Sequence, residues 1–193
     1  MAKSKAPRQI TYDEELNGIR HYLKSDDNED AKRPLLYPLF RKLFGEKFKI
    51  ESAAQNADGY VEGQLIVEAK TAATDWLSGF YQAFHYAKKG LTFSTICVIT
   101  KDFLGVWEIN QLPEAVTIFA HNTEAHKAAN DAGRENARRT PKVLQNEILD
   151  TALFKITPQD IRREEFSYIR SSYFFLNVLK NLDSERIQIN PNS

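Results

Sequence analysis

The run Leu65-Ile-Val-Glu68-Ala-Lys70 constrains the chain most, because it sets a carboxylate and an ammonium in a strand that otherwise belongs to a core. Strand side chains alternate with period two, so Leu65, Val67 and Ala69 point one way and Ile66, Glu68 and Lys70 the other. Burying the two charges side by side is costly unless they are paired or hold an ion. A fold that takes up this strand either builds a site around Glu68 and Lys70 or leaves them as a surface salt bridge on an edge strand.

The flanking residues favour a site. Asn56-Ala-Asp58 leads into Gly59-Tyr-Val-Glu62, which reads as a short extended piece, and Gly63 turns the chain. If the two pieces pair as a hairpin, Asp58 comes alongside Glu68 and Lys70. Two carboxylates and a strand carbonyl then offer oxygen ligands only, which suits a hard divalent cation, Mg²⁺ or Mn²⁺. A lysine at that edge can hold a water or stabilise negative charge developing on a phosphate. A helix follows from Thr74 to about Lys89, ended by Gly90. It places Gln82 and Tyr86 four residues apart on one face, and both can hydrogen-bond phosphate oxygens.

Elsewhere the pattern alternates between helical and extended. Thr11-Tyr-Asp-Glu14 has capping-box spacing for a first helix, with the Thr11 hydroxyl at N-cap. The run Ser25 to Asp30 breaks that helix and can cap the next, about Arg33 to Phe44. There Pro34 suits a first turn, Pro38 delays or kinks the start, and Gly45 stops it. Strands are expected at Phe48–Glu51, Thr95–Thr100 and Leu104–Ile109, with an edge-like one at Ala115–Phe119. His121 to Lys142, polar and Ala-rich with a basic cluster of Arg134, Arg138, Arg139 and Lys142, reads as a helix or a mobile excursion. Thr157-Pro-Gln-Asp160 is a second capping signature, expected to open one long helix through Leu179. The order predicts an α/β fold, helices packed on one mixed sheet. Residues 1–10 read as a flexible tail, 11–156 as the main domain, and 157–193 as a C-terminal helix and extension that could lead into a further domain.

The ordered set Asp58, Glu68-Ala-Lys70 and Gln82-x-x-x-Tyr86 resembles the PD-(D/E)XK nuclease superfamily. It is most similar to the Gln-x-x-x-Tyr branch, which includes RecB-type nucleases and the nuclease domains of type I, type ISP and type IIG restriction enzymes. The resemblance spans Tyr12 to Ile109; one departure is Ala57, where the motif has proline. It implies a restriction-endonuclease-like mixed β-sheet flanked by helices. It further implies that Asp58 and Glu68 bind the metal, that Lys70 assists the attacking water, and that Gln82 and Tyr86 position DNA. By the same resemblance Glu15 in the first helix is the candidate additional metal ligand, with His21 as runner-up. The expected activity is Mg²⁺-dependent hydrolysis of DNA phosphodiesters, with Mn²⁺ able to substitute, as the nuclease module of a restriction-modification enzyme. The alternative is a nuclease-fold module that binds DNA or a partner protein without cutting.

Composition narrows the classes. Lys plus Arg and Asp plus Glu are 26 each, so the chain as a whole is no basic nucleic-acid coat, and any such contact comes from a local patch. The single cysteine, Cys97, excludes an intrachain disulfide and a cysteine-built zinc site, and its apolar neighbours predict a buried, inert thiol. No stretch has the length of a transmembrane helix, and the polar N-terminus has no signal-peptide core; a cytoplasmic, membrane-free setting is the expectation. There is no Gly-x-x-x-x-Gly-Lys-Ser/Thr loop, no adenine-methyltransferase motif and no zinc finger. Motor, methylation and target recognition are therefore expected from other domains or subunits.

Overall fold

The computed structural model describes residues 10–51, 57–123 and 126–189. Met1–Gln9 of the tail read at residues 1–10, and Asn56 at the start of the motif segment, lie outside them. Three helices lead: α1 (Asp13–Lys24), α2 (Glu29–Lys32) and α3 (Tyr37–Phe44). The strands β1 (Phe48–Glu51), β2 (Ala57–Val61) and β3 (Leu65–Ala69) follow. Helix α4 (Trp76–Lys88) carries the chain across to β4 (Thr95–Thr100), and β5 (Phe103–Glu108) turns back. Then come α5 (Glu114–Asn122), α6 (Ala129–Arg139), α7 (Lys142–Asp150), β6 (Phe154–Ile156), α8 (Pro158–Arg162) and α9 (Tyr168–Ile189).

Among the described residues six strands form one sheet in sequence order. Only β3 and β4 run parallel, as a helical crossover between them requires; the other neighbours are antiparallel. The expected α/β architecture, a mixed sheet flanked by helices, is thus what the chain forms. Alternation along the strands sorts the core onto two faces. Leu65, Val67, Cys97, Ile99, Leu104 and Val106 pack against α1, α3 and α9. Ile66, Ile96, Val98 and Trp107 pack against α4, with Val116 of α5 and Ile148 of α7 behind. Cys97 is buried and its thiol is pushed up to about 12 by that burial, the inert state expected. Among the described residues no helix is long and apolar enough to cross a membrane.

Several local expectations are corrected. Ala115–Phe119 is helical, not an edge strand. A strand would put Val116 and Ile118 on one face, whereas Val116 is buried and Ile118 exposed, with Ala120 buried four residues after Val116. The first helix begins at Asp13 with Tyr12 at N-cap and no side-chain cap, so Thr11 does not cap it; the Thr11 carbonyl instead accepts a hydrogen bond from the Lys42 ammonium. The Thr157–Asp160 capping box forms, but it opens only α8. Arg163 then turns extended, and α9 starts afresh at Tyr168. Pro38 delays its helix rather than kinking it: a 3-10 turn spans Arg33–Leu35 and α3 starts one residue before the proline. The polar stretch after His121 contains the helix α6, and the sequence reading missed α7 and β6. Helix α9 packs Phe175, Leu176 and Leu179 into the same core as α1 and α3.

Candidate active site

Pairing of β2 with β3 assembles the charged cluster. The register sets Gly59 opposite Val67 and Tyr60 opposite Ile66, so one step further Asp58 lies across from Glu68. The hairpin read from Gly63 is therefore present, and it brings the two carboxylates together on the α4 side of the sheet. Asp58 accepts a hydrogen bond from the Ala69 amide at 2.7 Å through Oδ2, and its Oδ1 lies 3.0 Å from Arg33 Nε. Glu68 is only 1% exposed, and its Oε1 has no hydrogen-bond partner.

The electrostatics follow from that burial. Loss of solvent pushes the Asp58 carboxyl up to about 6, against the pull of the Ala69 amide and the Arg33 and Lys70 charges. Glu68 is held well above the usual carboxylate range, first by burial and then by the Asp58 charge beside it, with Lys70 opposing. Two carboxyls crowded in a dry site favour a shared proton or an added cation over two bare charges.

Lys70 stands just past the end of β3, fixed by its backbone. Its amide donates to the Ile99 carbonyl at 2.9 Å, and its own carbonyl accepts from the buried Tyr22 hydroxyl at 2.8 Å. Its ammonium donates to Asn130 Oδ1 on α6 at 3.3 Å. Helix α4 lies directly above: a Cβ on Gly79 would stand 3.3 Å from Lys70 Cγ and 3.8 Å from Glu68 Cβ, so glycine lets the helix approach the cluster closely. One turn on, Gln82 Nε2 donates to the Tyr86 hydroxyl at 3.4 Å, and both side chains are buried. Burial and the Glu68 charge raise the Tyr86 hydroxyl pKa, keeping its proton in place. A pocket of about 240 Å³ opens beside the cluster, lined by Glu29, Lys70, Thr71, Asp75, Ser78, Asn130 and Arg134.

The structure thus gathers Asp58, Glu68 and Lys70, with Gln82 and Tyr86 on the helix above. It places Glu15 and His21 differently. The Glu15 carboxylate pairs with Lys42 at 2.9 Å, which lowers its pKa, and His21 is exposed in the last turn of α1. The α1 residue that reaches the cluster is Tyr22, next to His21. Sequence reading missed Glu29, Arg33 and Asn130. Asn28 caps α2 by accepting from the Ala31 amide, so Glu29 sits in a first turn and pairs four residues on with Arg33 at 3.2 Å. The run Ser25–Asp30 had shown the cap, and the Glu29–Arg33 spacing was the available signal; nothing local pointed to Asn130.

Among the described residues no group of three or more His, Cys, Asp or Glu side chains forms a metal-holding cluster. The pair Asp58 and Glu68 nevertheless fits a hard divalent cation: both offer oxygen only, burial raises both carboxyls, Asp58 in spite of Arg33 beside it, and Glu68 Oε1 is buried with no partner. No family model, no curated protein and no solved structure matches the chain.

Proposed function

We propose that this protein is a Mg²⁺-dependent deoxyribonuclease of the PD-(D/E)XK type, working as the nuclease module of a restriction-modification system. One observation carries the reading: Asp58 and Glu68 lie buried across neighbouring strands, with Lys70 next on the same edge, beside a polar pocket. Asp58 and Glu68 would hold the cation, Mn²⁺ substituting for Mg²⁺. When bound, such an ion supplies Lewis-acid stabilisation of the phosphate and lowers the pKa of water. The chain's own residues do the rest. Lys70, anchored through its backbone to Ile99 and Tyr22, orients a water at the pocket and offsets charge growing on the phosphate. Gln82 and Tyr86, hydrogen-bonded to each other, present a fixed amide and a retained phenol proton for positioning DNA.

The test is nicking of supercoiled plasmid with Mg²⁺ or Mn²⁺ and an EDTA control, for the parent and for Lys70→Ala, Glu68→Ala and Gln82→Ala. Lysine and glutamate variants should both lose cleavage, yet only Glu68→Ala should lose Mn²⁺ binding by calorimetry. Gln82→Ala should keep metal binding and lose about two- to tenfold in rate, the worth of one neutral hydrogen bond. Full cleavage by Lys70→Ala would remove this mechanism. A second reading, a DNA- or protein-binding module without cleavage, draws on Arg33: its guanidinium already neutralises Asp58 without any added ion. Absence of metal binding by the parent would favour it.

A further inference from the structure

Helix α6 lies against α4 by an unusually close approach. Its buried stripe is Ala129, Ala132, Gly133 and Asn136, and a Cβ on Gly133 would fall 2.5 Å from the Ser78 carbonyl oxygen and 3.0 Å from the Gln82 amide nitrogen. That contact sets the next stripe, Asn130, Arg134 and Arg138, which recur every four residues along one flank. Asn130 accepts from the Lys70 ammonium, Arg134 lines the pocket beside it, and Arg138 stands exposed one turn further out, about 6 Å on. The other members of the basic cluster are used differently. Arg139 lies over the Phe119 ring at 5.9 Å, and Lys142 opens α7.

Resting on the nuclease reading, we propose that this flank of α6 is the rail along which the phosphate backbone of the substrate strand enters the Lys70 pocket, with Arg134 and Arg138 each meeting a phosphate. Arg134 is two-thirds exposed, and its nearest acid, Asp131, is 3.9 Å away and as exposed, so its guanidinium remains available to an anion. The other charged residues lining the pocket besides Lys70 are Glu29 and Asp75, which repel phosphate and leave α6 as the attracting wall. This also answers how a chain with zero net charge engages a polyanion: through a local stripe rather than its overall field.

The experiment is fluorescence anisotropy with a short labelled DNA duplex in EDTA, where no cutting occurs, at salt from about 50 to 200 mM. The chains are the parent, Arg134→Gln, Arg138→Gln, the double variant, and Arg163→Gln as an exposed arginine outside the stripe. Thermal melting checks that each is folded. Each stripe variant should reduce the slope of log affinity against log salt by about one, the double by about two, and Arg163→Gln should leave it unchanged. If the parent binds and the stripe variants keep its affinity and slope, the rail is overturned while the nuclease reading stands on the plasmid assay. If the parent cuts plasmid yet the Arg163 variant falls as far as the others, binding is diffuse and the rail is again overturned. If the parent neither binds nor cuts, the nuclease reading fails and takes the rail with it.

Discussion

At the residue scale, Glu68 ties stability to the proposed chemistry. In the unfolded chain its carboxyl titrates near the ordinary value, about 4.3; in the fold, burial and Asp58 raise it. Below the unfolded value both states hold the proton and no penalty arises. As pH rises past it the unfolded state ionises while the folded one cannot follow, so stability falls by about 1.4 kcal/mol per pH unit until the folded pKa is passed. Asp58 acts in the same direction between its ordinary value and about 6. Glutamine keeps the shape and carries no such penalty. Glu68→Gln should therefore melt close to the parent near pH 4 and increasingly above it toward pH 8, in EDTA; an unchanged gap across that range would refute the buried-acid account. Saturating Mn²⁺ at pH 8 should raise the parent's Tm and leave that of Glu68→Gln nearly unmoved, because only a ligand that prefers the folded site adds stability. The sequence made Asp58, Glu68 and Lys70 legible because strand alternation and one glycine turn fix their side. Arg33 and Asn130 were not legible, since both arrive from distant segments through packing.

At the scale of elements, what could be read depended on length. The alternation of β3, the apolar run of β4 and the stretches of α3 and α4, stopped by Gly45 and Gly90, each extend over enough residues to declare a period. Ala115–Phe119 does not: five residues with β-branched side chains suit a strand or a helix turn equally, and burial of Val116 with Ala120 decided for the helix. β6 is three residues long and exists because β5 offers it an edge, Leu104 pairing with Ile156. The capping box at Thr157 announced a start but said nothing of where the helix stops. Gly133 is the point where element packing meets function. Gly133→Ala improves helix propensity by about 1 kcal/mol on an isolated helix, yet here the methyl meets backbone atoms of α4 that cannot rotate away. The variant should lose about 1–3 kcal/mol in urea unfolding, the usual range for overpacking, and should also loosen the Asn130–Lys70 hydrogen bond. A melting point equal to the parent's would mean that α6 rides further from α4 than the structure shows.

For the whole molecule, the decisive element is the last helix. The sequence reading set 157–193 apart from the domain ending at 156, as a C-terminal helix and extension that could lead into a further domain. In the fold, α9 lays Phe175, Leu176 and Leu179 on the face of the sheet that α1 and α3 also cover. Phe175 is in contact with Phe154 of β6, ring centroids 5.8 Å apart, and the Tyr168 hydroxyl donates to the Leu16 carbonyl at 2.7 Å. One face of the sheet is therefore closed by residues about 150 positions apart in the chain, as the Tyr168–Leu16 separation shows. Such closure makes unfolding cooperative, because removing either end exposes the same core. Phe175→Ala should then cost about 3–5 kcal/mol, a large share of the 5–15 kcal/mol expected for a domain of this size. It should lower the single unfolding transition as a whole, including the fluorescence of Trp107, which sits on the opposite face of the sheet. If instead α9 were a connector, Phe175→Ala would leave the Trp107 transition in place and add an early, separate loss of helical signal. Circular dichroism and tryptophan fluorescence followed through one urea titration distinguish the two: coincident, shifted curves support the closed core, and divergent curves would leave 157–193 as an extension apart from the main domain.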